Sequence, residues 1–335
     1  MDKSFALVQD LLIGSWKFQV VVTCLQLKIF EKLQQSATLQ EVATQISAPE
    51  ESTQKILTAS VALGLLHKEN EQYANTPATN ALLVESSPAF MGNLFHHVCD
   101  VNPLWLNLTD AIRENSNRWL QTTGSAEGHF ATLYKDPQRL RKFMETMHFF
   151  NEQVAKALAE VVDFSSRKAI LDVGGATGIL CDIIHKKYPH MQTTVYDLEE
   201  VCQISREFTE KYDTNIAFHS GNFLEEQLPS GFDVIYLGWV LHDWSTEIQL
   251  QLIEKCYEAL PEGGMLLITE NFLAEDGSGP LFTSLLSLDM LVSTDGGGES
   301  TQSQYCERLQ QNGFRDIEVK EHVGGRSLII AYKKI

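Results

Sequence analysis

Three kinds of residue in this chain can act together chemically: a glycine-rich turn, carboxylates at the ends of short apolar runs, and a histidine. The turn, Gly174-Gly-Ala-Thr-Gly178, closes the apolar run Ala169–Val173, and a helical stretch starts at Ile179. Glycines permit a sharp turn and let a ligand approach with no Cβ in the way. The helix N-terminus behind them offers free N–H groups that favour an acidic ligand group. Strand, turn and helix in that order describe a cofactor pocket at the carboxyl end of the first strand of an open α/β sheet. A strict dinucleotide G-x-G-x-x-G needs glycine at 173, where Val173 stands, so the turn alone does not name the cofactor.

Such residues need a sheet to hold them, and the second half of the chain reads as one. From 168 onward short apolar strands alternate with helical stretches, the pattern of a doubly wound fold. Strands are expected at 169–173, 193–196, 216–219, 234–237 and 265–269. Two more lie near 317–320 and 327–332, joined by a hairpin at Val323-Gly-Gly-Arg326. Helices are expected at about 199–211, 246–259 and 280–294. The first five strands end on the glycine turn, Asp197, Asn222-Phe223, His242-Asp243-Trp244 and Glu270. Strand ends of this kind face one crevice, so their convergence is more specific than any single motif. A carboxylate at Asp197 can take both hydroxyls of a ribose; the plainer alternative is a strand-end cap. Asn222 and Phe223 can bracket an adenine by its edge and its face.

The first half reads as helical. Phe5, Leu7, Val8, Leu11, Leu12 and Trp16, with Val20 to Phe30 behind them, exceed the apolar face of one amphipathic helix, and a second copy of the chain is the expected cover. Residues 38–76 follow a helix-turn-helix-wing pattern, with Thr38 and Glu41 as a capping box and Gly64 closing the second helix, expected over 53–63. DNA binding is disfavoured, because that helix offers Lys55 as its single base where groove readers present several polar side chains. Loops are expected near 86–88 and 122–126. The run Phe143–Asn151 suits either a core helix or the lining of a flat apolar ligand. Three parts result: a winged-helix-like dimerisation domain (1–100), a helical linker whose helices could line a flat apolar ligand (101–165) and a Rossmann-like cofactor domain (166–335), with a boundary near Phe164–Arg167.

A net charge of −18 repels phosphate backbones and anionic membranes. The six cysteines are scattered without a C-x-x-C, which suits free thiols in a reducing compartment. The N-terminus lacks a signal-peptide layout, and a cytoplasmic location is expected. No metal is expected: the adjacent His96 and His97 would point apart on one helix.

The motifs Leu171-Asp-Val-Gly-Gly-Ala-Thr-Gly178, Val195-Tyr-Asp-Leu198, Gly221-Asn-Phe223, Val240-Leu-His-Asp-Trp244, Pro261-Glu-Gly-Gly264 and Gly296-Gly-Gly-Glu-Ser-Thr301 together resemble the class I S-adenosylmethionine (SAM)-dependent small-molecule O-methyltransferases. These include the caffeic acid, acetylserotonin, phenazine and polyketide methyltransferases. The resemblance spans nearly the whole chain and implies an α/β Rossmann-like seven-stranded sheet behind a winged-helix homodimerisation domain. It implies SAM as cofactor, S-adenosylhomocysteine (SAH) as product, a small aromatic or heteroaromatic acceptor, and neither metal nor nucleic acid. By the same resemblance, Asp172, Gly174, Gly175 and Gly178 would surround the methionine part and ribose. Asp197 and Leu198 would hold the ribose, while Asn222, Phe223, Gly238 and Trp244 would form the adenine end. His242 would be the general base, flanked by Glu270 and Glu299. Phe143, Met147, Phe150, Asn151, Asp243 and Met290 would line the acceptor site. Histidine suits proton removal near neutral pH, and an acidic partner on its other nitrogen would fix its tautomer.

This chain departs from the family pattern in having Ala176 for a glycine, Asn222 for an aspartate and Gly238 where plant members carry a lysine. Competing readings are N-methylation, a repurposed SAM-binding enzyme (pericyclase, hydroxylase or decarboxylase), a nicotinamide dehydrogenase and a winged-helix regulator. Intact His242, Glu270 and Glu299 speak against repurposing, the first-glycine position against the dehydrogenase, and the acidic surface against the regulator.

Overall fold

A computed structural model describes residues 3–124, 132–212 and 214–334. The chain divides into two compact units, Met1–Asp100 and Val101–Ile335. Residues 101–165 therefore belong to the same unit as the sheet.

In the first unit, helices Lys3–Leu12 and Gly14–Gln26 precede the helix-turn-helix-wing. The capping box forms as expected: the Glu41 N–H donates to Thr38 Oγ1, and the Thr38 N–H donates to Glu41 Oε2 at 2.7 Å. The helix after it, Glu50–Ala62, starts three residues before the expected Thr53. Pro49 sits extended ahead of it, and Glu50 and Glu51 occupy its first turn, where acids suit the helix dipole. The wing is β2 (Leu66–Glu69) against β3 (Gln72–Asn75), and it gains a strand not foreseen, β1 (Ala37–Thr38), on the far side of β3. Lys55 is paired with Glu51 on the helix surface, so even the single base of that helix is neutralised locally. Phe5, Leu7, Val8, Leu11, Leu12 and Trp16 are all exposed.

The second unit carries a seven-stranded sheet in the order β11-β12-β8-β7-β4-β5-β6. Its strands are β4 (Ala169–Val173), β5 (Gln192–Asp197), β6 (Ile216–Ser220), β7 (Val234–Gly238), β8 (Met265–Glu270), β11 (Arg315–Val323) and β12 (Arg326–Tyr332). β4 and β8 are buried along their whole length, as strands covered on both faces must be. One face packs on the helices Pro137–Val161 and Ile179–Lys187, the other on Thr246–Ala259 and Gln302–Gln311. The final hairpin forms at Gly324-Gly325, with Val323 opposite Arg326. Residues 122 and 123 end a short helix, Trp119–Thr123, instead of a loop; 125 and 126 lie outside the described residues.

This strand order decides where ligands go. β4 has β5 on one side and β7 on the other, so the connections leaving β4 and β7 diverge and open a crevice at their carboxyl ends. The glycine turn and the His242 loop are those two connections. A second device is a two-stranded parallel pairing of β9 (Phe272–Leu273) with β10 (Ser300–Thr301). It follows Glu270 directly and brings Glu299 beside it.

Candidate active site

On one side of the crevice the glycine turn wraps a pair of carboxylates. Gly174 and Gly178 both take φ of +71°. A Cβ on Gly175 would lie 2.7 Å from the Asp172 carboxyl carbon, so glycine leaves the room that Asp172 occupies. Ala176, in place of the family's glycine, also adopts a left-handed φ of +43°. Its N–H donates to Asp197 Oδ2 at 3.0 Å and its carbonyl accepts from the Ser205 hydroxyl. Asp197 Oδ1 accepts from the Leu198 N–H at 2.8 Å. Burial pushes the Asp172 carboxyl up to about 8, and the neighbouring Asp197 adds to it. Burial also raises Asp197, to about 6, although its two amide donors pull it down. The turn is thus a small-residue cradle around two acids that resist ionising together. Such a cradle fits an amino-acid tail, a sulfonium and a ribose, and it is ill suited to a phosphate.

After β6 and β7, Phe223 and Trp244 meet edge to face at 5.7 Å. The Asn222 side-chain oxygen accepts from the Leu224 N–H at 3.0 Å and so shapes its own turn. The absence of a side chain at 238 has a local cause. A Cβ there would lie 2.3 Å from the Tyr236 hydroxyl, which is held in place by Thr269 at 2.6 Å.

Across the crevice, His242 is buried in a short 3-10 turn, Leu241–Asp243. Its Nδ1 lies 2.7 Å from Glu299 Oε1, and its Nε2 lies 3.6 Å from Asp243 Oδ1. Glu270 differs in role from a simple flanking acid. Its Oε1 accepts from the backbone N–H groups of Val240 and Leu241, at 3.2 and 3.0 Å, and so fixes the loop that carries the histidine. Glu299 reaches the ring because Gly297 lets its own turn press on that loop. The Gly298 N–H donates to the His242 carbonyl at 2.8 Å, and a Cβ on Gly297 would lie 2.6 Å from the same oxygen. Burial pushes Glu299 up to about 8 and Glu270 up to about 7. It raises Asp243 as well, against the pull of His242. His242, Glu270 and Glu299 each place a donor atom within 4.8 Å of the others. The histidine nitrogen and a Glu299 oxygen are nevertheless turned on each other, and Glu270 Oε1 is taken by two amides, which is an acid–base arrangement.

The helix Pro137–Val161 forms the third wall. Phe143 packs in a cluster with Ala176 and Leu198. Phe150 meets Trp239 at a tilt, with centroids 5.7 Å apart, and the buried Asn151 Oδ1 has no hydrogen-bond partner among the described residues. Met147 is half-buried. Met290, buried on the helix Leu281–Ser293, uses its carbonyl to hold Thr294. Four residues near the site were not foreseen. His148 Nδ1 meets Thr177 Oγ1 at 2.9 Å and ties this helix to the glycine turn. Tyr134 is buried close enough to Asp197 and Asp243 for both charges to act on it. Trp239 lies flat against His242, with centroids 5.6 Å apart and planes at 15°. Arg326 covers the other part of that tryptophan. Their pairings were not legible in spacing: His148 reaches Thr177, Tyr134 reaches the strand-end acids and Arg326 reaches Trp239 from distant parts of the chain.

Comparison with known proteins supplies the context. The O-methyltransferase domain profile matches residues 105–315, and the O-methyltransferase dimerisation domain profile matches residues 9–85. The chain is 32% identical to the S-adenosyl-L-methionine-dependent methyl transferase PigF of Serratia sp., over 96% of this chain and 94% of that one. It is 32% identical to chicken acetylserotonin O-methyltransferase, with 90% of each chain covered. The structure of PigF with SAH superposes with a TM-score of 0.92 over 99% of this chain and 100% of that one. Human N-acetylserotonin methyltransferase in complex with SAM, 29% identical, gives 0.91 over 100% and 99%.

Proposed function

The chain belongs to the O-methyltransferase family, and from that premise we propose that it transfers a methyl group from SAM to a hydroxyl of a small aromatic acceptor, with His242 as general base. The observation that carries this reading is the buried 2.7 Å contact between His242 Nδ1 and Glu299 Oε1, across the crevice from the glycine turn.

When bound, SAM would supply a methyl already activated on a sulfonium, with SAH as the other product. What this chain must do is align and deprotonate. Gly174 to Gly178 with Asp172 would hold the amino-acid tail, Asp197 the ribose hydroxyls, and Phe223 with Trp244 the adenine. With Nδ1–H donating to Glu299 Oε1, the proton-accepting nitrogen is Nε2, which takes the acceptor's hydroxyl proton. Glu299 then balances the imidazolium, while Glu270 keeps the loop from moving. Phe143, Met147 and Phe150 offer a flat apolar wall that orients a ring, largely a proximity effect.

The proposal includes a homodimer. The exposed apolar side chains of the two N-terminal helices face a second copy, in keeping with the dimerisation-domain match. No single described helix is long and apolar enough to cross a membrane. All six cysteines are free thiols, and we assign the enzyme to the cytoplasm.

The direct test is a screen with methyl-labelled SAM against phenols, hydroxyindoles and phenazines. Label on oxygen of at least one class is expected. Label found only on amines would replace O- with N-methylation, and tight NAD binding with no response to SAM would remove the reading altogether.

A further inference from the structure

Arg326 is the group beside the base that the chemistry above leaves unused. It opens β12 next to Ser327, which pairs with Glu270. Its guanidinium carbon lies 3.7 Å from the centre of the Trp239 ring, and that ring lies flat against His242. Arginine, tryptophan and histidine thus form one stack. The arginine is 5% exposed, and its Nη1 and Nη2 are buried with no hydrogen-bond partner among the described residues.

Those nitrogens are closed off, so they do not await a ligand. A guanidinium cannot shed its proton to escape burial. A buried cation without hydrogen bonds must be compensated by opposite charge nearby. The carboxyls whose charge acts on it are Glu270 and Glu299. Each has an Oε2 atom that is buried and equally without a hydrogen-bond partner among the described residues. Both sides of the cluster are therefore incomplete alone and complementary together.

We propose that Arg326 is a positioning residue for methyl transfer: it is the fixed counter-charge of the Glu270 and Glu299 carboxylates, and it holds Trp239 flat against the His242 ring. The inference rests on His242 being the base. The other groups facing the cluster are Tyr236, Asp243 and Tyr305. Burial keeps the two tyrosine hydroxyls neutral, and Asp243 adds only further negative charge. Arg308 is engaged at 2.8 Å by Gln249 and by Ser300. Burial drives the Glu270 and Glu299 carboxyls upward, and Arg326 pulls both back down. Without it both rise further. A protonated Glu299 no longer carries the negative charge that balances the imidazolium, so the base loses its counter-charge as pH falls.

The test compares the pH profiles of kcat/KM for wild type, R326M and R326K, with SAM affinity measured by calorimetry. R326M is expected to move the acid limb upward by about one pH unit or more, the size of effect an adjacent opposite charge has on a carboxyl. Its SAM affinity should stay within about twofold of wild type, because the site of binding lies across the crevice. R326K is expected to return the acid limb but not the full kcat, since an ammonium does not lie flat on an indole as a guanidinium does. A wild-type profile in R326M, or an R326K that behaves as R326M does, overturns the proposal. If R326M fails to fold, R326M/E270Q removes the charge together with one partner and should fold; a double variant as insoluble as the single one counts against the counter-charge. A wild type that labels no acceptor removes the functional reading and this inference with it, whereas an active wild type with an indifferent R326M removes only this inference.

Discussion

At the ends of β4 and β5, burial raises Asp172 and Asp197, Asp197 raises Asp172 further, and two backbone amides meet Asp197. At the ends of β7 and β8, Glu299 meets the imidazole of His242, Glu270 holds two amides of the same loop, and a buried guanidinium acts on both acids. Each region confines acids away from water, yet the second brings its own cation and the first does not draw on one. The difference matches what each must do. Acids without a cation of their own hold a proton when buried and can release it when a cationic ligand arrives. A site that moves a proton must stay balanced with or without it.

Variants can break this contrast, and the largest effect is expected at the base. His242→Ala should lower turnover at least about a hundredfold, the low end of general-base contributions, with SAM affinity nearly unchanged by calorimetry. Full turnover in that variant would move the base elsewhere. Asp197→Asn should do the converse. Losing a charged acceptor of hydrogen bonds costs about 2 kcal/mol, or roughly thirtyfold in SAM affinity, while kcat at saturating SAM changes little. Equal losses in both parameters would mean that the two regions are not separable.

A smaller effect should appear in stability against pH. The carboxyls of Asp172 and Glu299 are raised to about 8 and Glu270 to about 7, above their unfolded values. The folded protein therefore holds protons that the unfolded chain has released. That contribution is fully present below the ordinary carboxylate range and is lost as pH rises towards 8. The Tm of the ligand-free protein should fall between pH 5 and 8. SAM should restore more of it at pH 8 than at pH 6, because the cation meets ionised Asp172. A SAM-induced shift that is the same at both pH values would detach the cradle from charge. The smallest effect is Ala176→Gly. Relief of a left-handed alanine is worth about 1 kcal/mol, seen as a modest rise in Tm with turnover unchanged. A drop in Tm would show that the contacts of Ala176 outweigh its backbone strain.

Much of this was determined by local sequence. Alternation of short apolar strands with helical stretches set the α/β class, because periodicity records which face each element buries. The Thr38–Glu41 cap and the Gly324-Gly325 hairpin were legible because their chemistry closes within a few residues. The strand-end acids, His242 and the glycine turn were legible because in a doubly wound sheet all such ends share one side. Tertiary structure decided how they work. That Glu299 and not Glu270 meets the imidazole follows from the β9–β10 pairing and the Gly297 turn, two segments about thirty residues apart in the chain. Arg326 carried no local signal, since it reaches Trp239 from a strand more distant in the chain, and the flat contact of Trp239 with His242, three residues on in the same loop, depends on how that loop folds. The charge state of the buried acids is likewise a property of the assembled interior, where water is excluded and distances between groups, not their order in the chain, set which of them ionise.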